Sequence, residues 1–190
     1  MPDARRAPTS GSRRLLSALA CGLTLAVNTF LAAPGRADDC PDPLFVCQTD
    51  REGKYVQVCA VQEDVGQRWS HIQYRFGKEN EKPELVFPRD ASKQPPPLLF
   101  SHEVVGAEYR VSLRFASGGY TYRIFSHADD RGDGQAGVTI SDSKGKVVST
   151  VRCIERSHMF PAYLQRALPC DLKNPHGKAA CGEAPYEPLR

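Results

Sequence analysis

Apolar and polar side chains alternate along several short stretches of this chain, and this period of two constrains the fold more than any other feature. Val111, Leu113 and Phe115 share one face of such a stretch, whereas Ser112 and Arg114 share the other. Alternation of this kind is typical of antiparallel strands that have one packed face and one solvated face. The stretches with this pattern are residues 72–76, 111–115, 120–124 and 147–153.

Turn residues separate these stretches from further candidate strands. Gly53, Gly118-Gly119 and Gly145 follow polar residues at positions where a hairpin requires a positive φ. About eight short strands at this spacing predict an all-β fold, either an antiparallel β-sandwich or a flattened barrel. The further strands are expected at residues 55–61, 84–87, 98–104 and 138–141.

One short C-terminal helix is predicted at residues 160–168. Pro161 lies near its first turn, where the missing backbone N–H costs little, and Pro169 ends it.

The first 37 residues have the pattern of a secretory signal peptide. Arg13-Arg14 precede an uncharged run over residues 15–33, and the small residues Gly35 and Ala37 precede a cleavage site. An uncleaved anchor and a twin-arginine export route remain alternatives. Residues 38–190 are then expected to form a single exported β-domain, with an irregular, cysteine-containing tail over about residues 170–190.

The whole of the positive net charge of +3 belongs to this leader. Its residues include five basic side chains and one acidic side chain, which leaves 20 basic and 21 acidic residues from Asp38 onward, a net charge of −1. Nucleic-acid binding requires a basic footprint with exposed aromatic residues. The sequence therefore indicates no nucleic-acid partner, and it indicates no stable membrane anchor once the leader is cleaved.

The cysteines predict a domain stapled by disulfides. Cys21 lies in the leader, so an even number remains in the exported chain, as is usual in an oxidising compartment. The six can pair in 15 ways. We predict Cys47–Cys59 across a hairpin, Cys170–Cys181 in the tail, and Cys40–Cys153 between the N-terminal segment and a late strand. The six are Cys40, Cys47, Cys59, Cys153, Cys170 and Cys181.

The sequence contains no recognisable catalytic or metal-binding constellation. There is no Gly-x-Ser-x-Gly elbow, no Cys-x-x-Cys pair and no His-Glu-x-x-His motif. We therefore expect a protein that is not an enzyme and that holds no metal or cofactor. The histidines are scattered along the chain at His71, His102, His127, His158 and His176.

A polar loop over residues 127–134 has two sharper interpretations. Asp129, Asp130 and Asp133 could together bind calcium, but their spacing lacks the terminal Glu of an EF-hand. Arg131-Gly132-Asp133 matches an integrin-binding tripeptide. A polar, glycine-containing hairpin loop has the same composition, and we predict such a loop here.

The segment Ser117-Gly118-Gly119-Tyr120 links the two best-patterned strands, so we expect a tight hairpin tip. A hydroxyl and a phenol held on rigid strands can donate hydrogen bonds into a carboxylate-lined cleft. A plain hairpin is the alternative.

At this tip the sequence resembles the small periplasmic lysozyme inhibitors of Gram-negative bacteria. In the group directed at invertebrate-type and goose-type lysozymes, a Ser-Gly-x-Tyr signature marks the loop that plugs the active site, and Ser117, Gly118 and Tyr120 match it. The resemblance implies a β-sandwich scaffold and a protein partner. The chain also resembles exported bacterial families that have no assigned function.

Our hypothesis from the sequence is a periplasmic or secreted binding protein that inhibits a lysozyme or another hydrolase. Ser117, Gly118, Gly119 and Tyr120 are its predicted partner-binding residues. The alternatives are a non-enzymatic envelope interaction or structural module, and a metal-dependent enzyme.

Overall fold

Two antiparallel sheets face each other in this structure, a computed structural model that describes residues 40–63, 69–93, 96–155, 157, 159, 161–175 and 180–181. Strands β1 to β4 form one sheet and β5 to β9 the other, and within each sheet every strand pairs with its neighbours in sequence. The predicted all-β sandwich is confirmed, rather than the flattened barrel. The elements are β1 (Asp42–Gln48), β2 (Lys54–Gln62), β3 (Trp69–Lys78), β4 (Leu85–Phe87), β5 (Leu99–Val105), β6 (Glu108–Ser117), β7 (Tyr120–Ala128), β8 (Gly134–Ser141), β9 (Val147–Arg152) and α1 (Pro161–Ala167).

All eight predicted strands and the C-terminal helix are present, but β1 was not predicted. Its sequence begins with Asp42-Pro43, and its pairing with β2 is irregular between Pro43 and Phe45. Leu44 and Phe45 are consequently both buried, so the alternation that marks the other strands is broken there. An edge strand tolerates such a proline because its outer N–H groups need no partner strand.

A stack of aromatic rings joins the two sheets. The Phe115 ring of β6 lies 4.3 Å from the Phe87 ring of β4 and 4.8 Å from the Tyr122 ring of β7, nearly parallel to both. Tyr74 of β3 packs against the same Phe115 ring at 5.1 Å. We call Phe87, Phe115 and Tyr122 the aromatic column. Aromatic pairs contribute about 0.5–1.5 kcal/mol each beyond the area they bury.

Three disulfides are formed, and two of them differ from the prediction. Cys170–Cys181 is confirmed, whereas the predicted Cys47–Cys59 and Cys40–Cys153 are wrong. The pairs are Cys40–Cys59, Cys47–Cys153 and Cys170–Cys181, with Cα–Cα distances of 5.1, 5.5 and 5.6 Å.

The register of the β1–β2 hairpin explains the difference. Cys47 lies opposite Val56, and Cys59 lies opposite Pro43. The two cysteines are therefore separated by three residues along the hairpin, about 10 Å, which is too far for a disulfide. Cys47 pairs instead with Cys153, which follows β9, so this disulfide links the two sheets.

The outer face of β6 is covered, although the alternation predicted a solvated face. The Arg114 side chain is only 15% exposed, and it donates from Nε and Nη2 to the two carboxylate oxygens of Asp171 at 2.7 and 2.6 Å. Asp171 is itself 1% exposed. The prediction was wrong here because a partner 57 residues away neutralises the arginine.

A segment after α1 reaches this face by pairing with the free edge of β5. The Phe100 N–H donates to the Pro169 carbonyl at 2.8 Å, and the Asp171 N–H donates to the Phe100 carbonyl at 2.7 Å. Asn174 donates to the buried Ser101 hydroxyl at 3.1 Å. We call residues 169–175 the C-terminal segment. The predicted tail is thus stapled and docked over its described part, whereas residues 176–179 and 182–190 lie outside the described residues.

The predicted signal peptide, residues 1–37, also lies outside the described residues. In the part of the chain that the structure describes, no helix is long and apolar enough to span a bilayer. The three disulfides are those of a protein from an oxidising compartment.

Tyr74 is expected to make the fold sensitive to alkaline pH. Burial raises the pKa of its phenol well above the ordinary value near 10, and the Tyr122 phenol adds to the rise. The folded state therefore favours the neutral phenol. The contribution of Tyr74 to the free energy of unfolding is fully present below pH 10, and it falls above that pH by up to about 1.4 kcal/mol per pH unit. In urea unfolding between pH 8 and 11, the free energy of unfolding should decline less for Tyr74→Phe than for the wild type. For Tyr109→Phe, at an exposed tyrosine of β6, it should decline as in the wild type. An equal decline in all three proteins would contradict this role of Tyr74.

The Arg114–Asp171 pair is expected to anchor the C-terminal segment. Asp171→Asn should lower the free energy of unfolding by about 2–4 kcal/mol, because it leaves a largely buried guanidinium without its counter-charge. Burial alone would raise the pKa of Asp171, but the hydrogen bonds and charge of Arg114 outweigh it and hold that pKa below its ordinary value. This stabilisation is therefore present above about pH 4 and is lost as the pH falls further.

The control is an exposed ion pair on the other sheet. Lys78 Nζ lies 3.9 Å from Glu81 Oε1 in solvent, so Glu81→Gln should change the free energy of unfolding by less than about 0.5 kcal/mol. Equal stabilities for Asp171→Asn and the wild type at pH 7 would show that the pair does not anchor the segment.

Candidate functional site: the β6–β7 tip

The hairpin between β6 and β7 ends in a turn of two glycines. Ser117 and Tyr120 are the last paired residues, and Gly118 and Gly119 have φ angles of 60° and 82°. A positive φ at both central residues is the pattern of a type I′ turn, whose twist matches that of the flanking strands. The predicted tight tip is confirmed, and both glycines are required by its backbone geometry.

The tip is open to solvent. A Cβ added to Gly118 or Gly119 would meet no atom within 4 Å. Tyr120 is 44% exposed, while Ser117 is half-buried. The C-terminal segment binds β6 at Arg114, three residues before Ser117.

The base of the tip is held by the aromatic column. Phe115 and Tyr122 are cross-strand partners, and their rings are stacked within 3° of parallel. Only the pairs Ala116–Thr121 and Ser117–Tyr120 extend beyond them. The tip is thus a short projection from a packed base, so presenting it to a partner costs little conformational entropy.

A second turn lies at the same end of this sheet. Thr121 pairs with Ser141, so β8 ends beside the start of β7 and its turn to β9 is next to the tip. The Asp142 Oδ1 accepts hydrogen bonds from the Lys144 and Lys146 backbone N–H groups, both at 2.9 Å, and both lysine side chains are exposed.

Exposed apolar residues follow this second turn. Val147 and Val148, at the start of β9, are 52% and 51% exposed. We use the name tip surface for Ser117, Gly118, Gly119, Tyr120, Lys144, Lys146, Val147 and Val148.

Half of the tip surface, Ser117 to Tyr120, is contiguous and is predicted from the sequence. The turn that contains Gly145 is also predicted, but its place beside Tyr120 is not, because the order of strands in the sheet decides which hairpins are neighbours. The short connections between consecutive strands favour a meander, and that signal could have placed the two turns side by side.

The tip surface combines hydrogen-bond donors with positive charge. The Ser117 hydroxyl and the Tyr120 phenol can each donate one hydrogen bond, and the exposed backbone of Gly118-Gly119 is approachable by a partner. Lys144 and Lys146 add two charges beside them. The arrangement suits an anionic, concave surface such as a cleft lined by carboxylates.

The other candidate residues lie away from the tip. The loop after β7 is held by the Asp129 Oδ1, which accepts hydrogen bonds from the Arg131 and Asp133 N–H groups at 2.9 and 2.8 Å, as in an ordinary polar turn. Among the described residues, no group of three His, Cys, Asp or Glu side chains is placed to hold a metal ion.

The described histidines do not form a cluster. His71 is exposed on β3, as predicted from its place in the alternation. Burial lowers the pKa of His102, and burial also lowers the pKa of His127 even though Glu108, at 3.9 Å, opposes that effect. The remaining two, His158 and His176, lie outside the described residues.

Comparison with known protein families, with curated proteins and with solved structures finds no match for this chain.

Proposed function

We propose that this protein is an exported inhibitor that inserts the β6–β7 tip into the active-site cleft of a hydrolase, with a lysozyme as the target. The observation that carries the proposal is the exposed two-glycine turn, mounted directly on the aromatic column. The resemblance of Ser117, Gly118 and Tyr120 to the signature of periplasmic lysozyme inhibitors supports the same target. The three disulfides support a location in the periplasm or outside the cell.

The chemistry of a lysozyme cleft complements the tip. Glycosidases of this kind place two carboxyl groups on either side of the scissile bond. In the proposed complex, the Ser117 hydroxyl donates a hydrogen bond to one of these carboxylates. Tyr120 packs against the cleft wall and donates from its phenol. A hydrogen bond to a charged acceptor contributes about 1.5–3 kcal/mol, so two such donors can dominate the affinity.

The narrow apex explains the need for glycine in functional terms. A turn without Cβ atoms is hardly wider than the backbone itself. It can therefore approach the floor of a narrow cleft that turns with side chains cannot reach. Tyr120, Val147 and Val148 then meet the rim of the cleft with apolar surface.

Charge supports association at the tip rather than across the whole molecule. The chain from Asp38 onward has a net charge of −1, which provides little long-range steering toward a charged enzyme. Lys144 and Lys146 instead give the tip surface a local positive charge that complements an acidic cleft. Binding is therefore expected to weaken moderately with added salt.

The test is a turbidimetric assay of peptidoglycan lysis by goose-type, invertebrate-type and chicken-type lysozymes. Purified protein should inhibit at least one of them at micromolar excess. Ser117→Ala combined with Tyr120→Ala should weaken inhibition at least 100-fold, because about 3 kcal/mol of hydrogen bonding and packing is removed from the centre of the interface. The melting temperature should change by less than about 3 °C, since both side chains lie beyond the core.

Tyr109→Ala provides the matched control. Tyr109 is about as exposed as Tyr120 but lies at the opposite end of the same hairpin, where it pairs with Ala128. This variant should inhibit like the wild type. Failure of the wild type to inhibit any of the three lysozymes at micromolar excess would contradict the proposed function.

A further inference from the structure

An apolar cavity opens between the two sheets, separate from the tip surface. Its volume is about 350 Å³, within the range of small-molecule sites. Tyr74, Val138 and Val151 are its buried lining residues. The half-buried lining residues are Phe76, Leu85, Tyr122 and Ile140.

The aromatic column ends at this cavity. Phe115 covers one side of the Tyr122 ring at a centroid distance of 4.8 Å, and Tyr122 also lines the cavity. Tyr74 lies on the opposite sheet, with its ring centroid 6.5 Å from that of Tyr122. Both rings line the cavity, so a flat ring placed in it would have aromatic side chains of both sheets beside it.

The size of the cavity limits what can fill it. A cavity of about 150 Å³ lined by aliphatic and aromatic residues accommodates one benzene molecule. A volume of about 350 Å³ is a little more than twice that, which corresponds to two fused rings with a small substituent.

The charge at the rim limits the ligand further. Glu84 is the charged residue of the lining, and its two carboxylate oxygens lie 2.9 and 3.0 Å from the Lys54 Nζ. Lys54 also lies over the Phe76 ring, 5.5 Å from its centroid. The rim is thus an ion pair with no net charge, so it offers no attraction to an anionic ligand, and the apolar lining disfavours burial of a charge.

We propose that this cavity binds a small, uncharged aromatic molecule of about two fused rings, stacked against Tyr122. The phenol groups of Tyr74 and Tyr122 can supply a hydrogen bond to a single hydroxyl of such a ligand. This site does not depend on the proposed inhibitory function, because the tip surface and the cavity lining share no residue.

Isothermal titration calorimetry with three probes tests the proposal. 2-Naphthol should bind the full protein with a Kd of about 100 µM or tighter, as expected for a well-fitting ligand of fragment size. Decahydro-2-naphthol has the same skeleton but no flat ring, so it should bind about three- to tenfold more weakly. 2-Naphthoate should bind at least tenfold more weakly than 2-naphthol because of its charge.

Two tryptophan variants on the edge strand β4 locate the site. Leu85 lies opposite Phe76 and lines the cavity, whereas Val86 lies opposite Arg75 and points to the other face. Leu85→Trp should place an indole in part of the cavity and weaken 2-naphthol binding at least tenfold, and Val86→Trp should leave it unchanged. Ile140→Phe, which narrows the cavity from β8, is the second variant if Leu85→Trp has lost its cooperative thermal unfolding.

Three results would overturn the proposal. The first is no binding of 2-naphthol up to 1 mM. The second is equal affinity for 2-naphthol and its decahydro analogue, which would exclude stacking on Tyr122. The third is full binding by both folded cavity-filling variants, which would place the ligand elsewhere.

Discussion

The ring of Phe115 is the contact on which the rest of the structure depends. It lies between Phe87 of one sheet and Tyr122 of the other, nearly parallel to both, and it packs against Tyr74 as well. A β-sandwich is held together by side chains that cross from sheet to sheet. Here one ring makes two of these contacts, to Phe87 and Tyr74, and its stacking on Tyr122 ties them to the neighbouring strand β7.

Both proposed binding sites follow from this constraint. Phe115 and Tyr122 form the last core pair of the β6–β7 hairpin, so the exposed Ser117–Tyr120 turn projects from a base that is already packed. Tyr122 also forms a wall of the cavity between the sheets. One side of the column thus supports the tip that we propose to bind a protein, and its end forms a wall of the proposed ligand cavity.

β6 is also anchored on its outer face, opposite the aromatic column. Arg114, next to Phe115, forms a paired hydrogen bond with Asp171 and so attaches the C-terminal segment to the sheet. Cys170 of the same segment forms a disulfide with Cys181. The strand that leads to the tip is therefore held on its inner face by aromatic packing and on its outer face by a shielded ion pair. Such double anchoring favours a single conformation of the hairpin before any partner binds.

Local pattern was sufficient to predict much of the fold. Alternation predicted four strands because a buried and an exposed face recur with a period of two, and the turn residues between the stretches indicated the turns and four further strands. The sequence pattern did not indicate β1, because the irregular register near Pro43 buries Leu44 and Phe45 together and breaks the alternation. The cysteine pairing depended on that same hairpin register, and so it was predicted correctly only where the loop is short.

Long-range contacts account for what the sequence could not predict at the sites. The tip residues Ser117 to Tyr120 are contiguous, so they were identified. Lys144 joins them only through the order of strands, and the partner of Arg114 lies 57 residues away. The cavity is assembled from strands of both sheets, so no segment of the chain contains its pattern.

The central claim is that a bare glycine apex enters a cleft, and Gly118→Asn tests it most directly. Asparagine tolerates the positive φ of a type I′ turn, so the variant should fold with nearly wild-type stability while placing a side chain at the apex. Gly106→Asn, at a φ of 63° in the open turn between β5 and β6, is the matched control. In lysozyme inhibition assays, Gly118→Asn should be at least tenfold weaker than the wild type and Gly106→Asn should be unchanged. Wild-type inhibition by a folded Gly118→Asn protein would contradict the account.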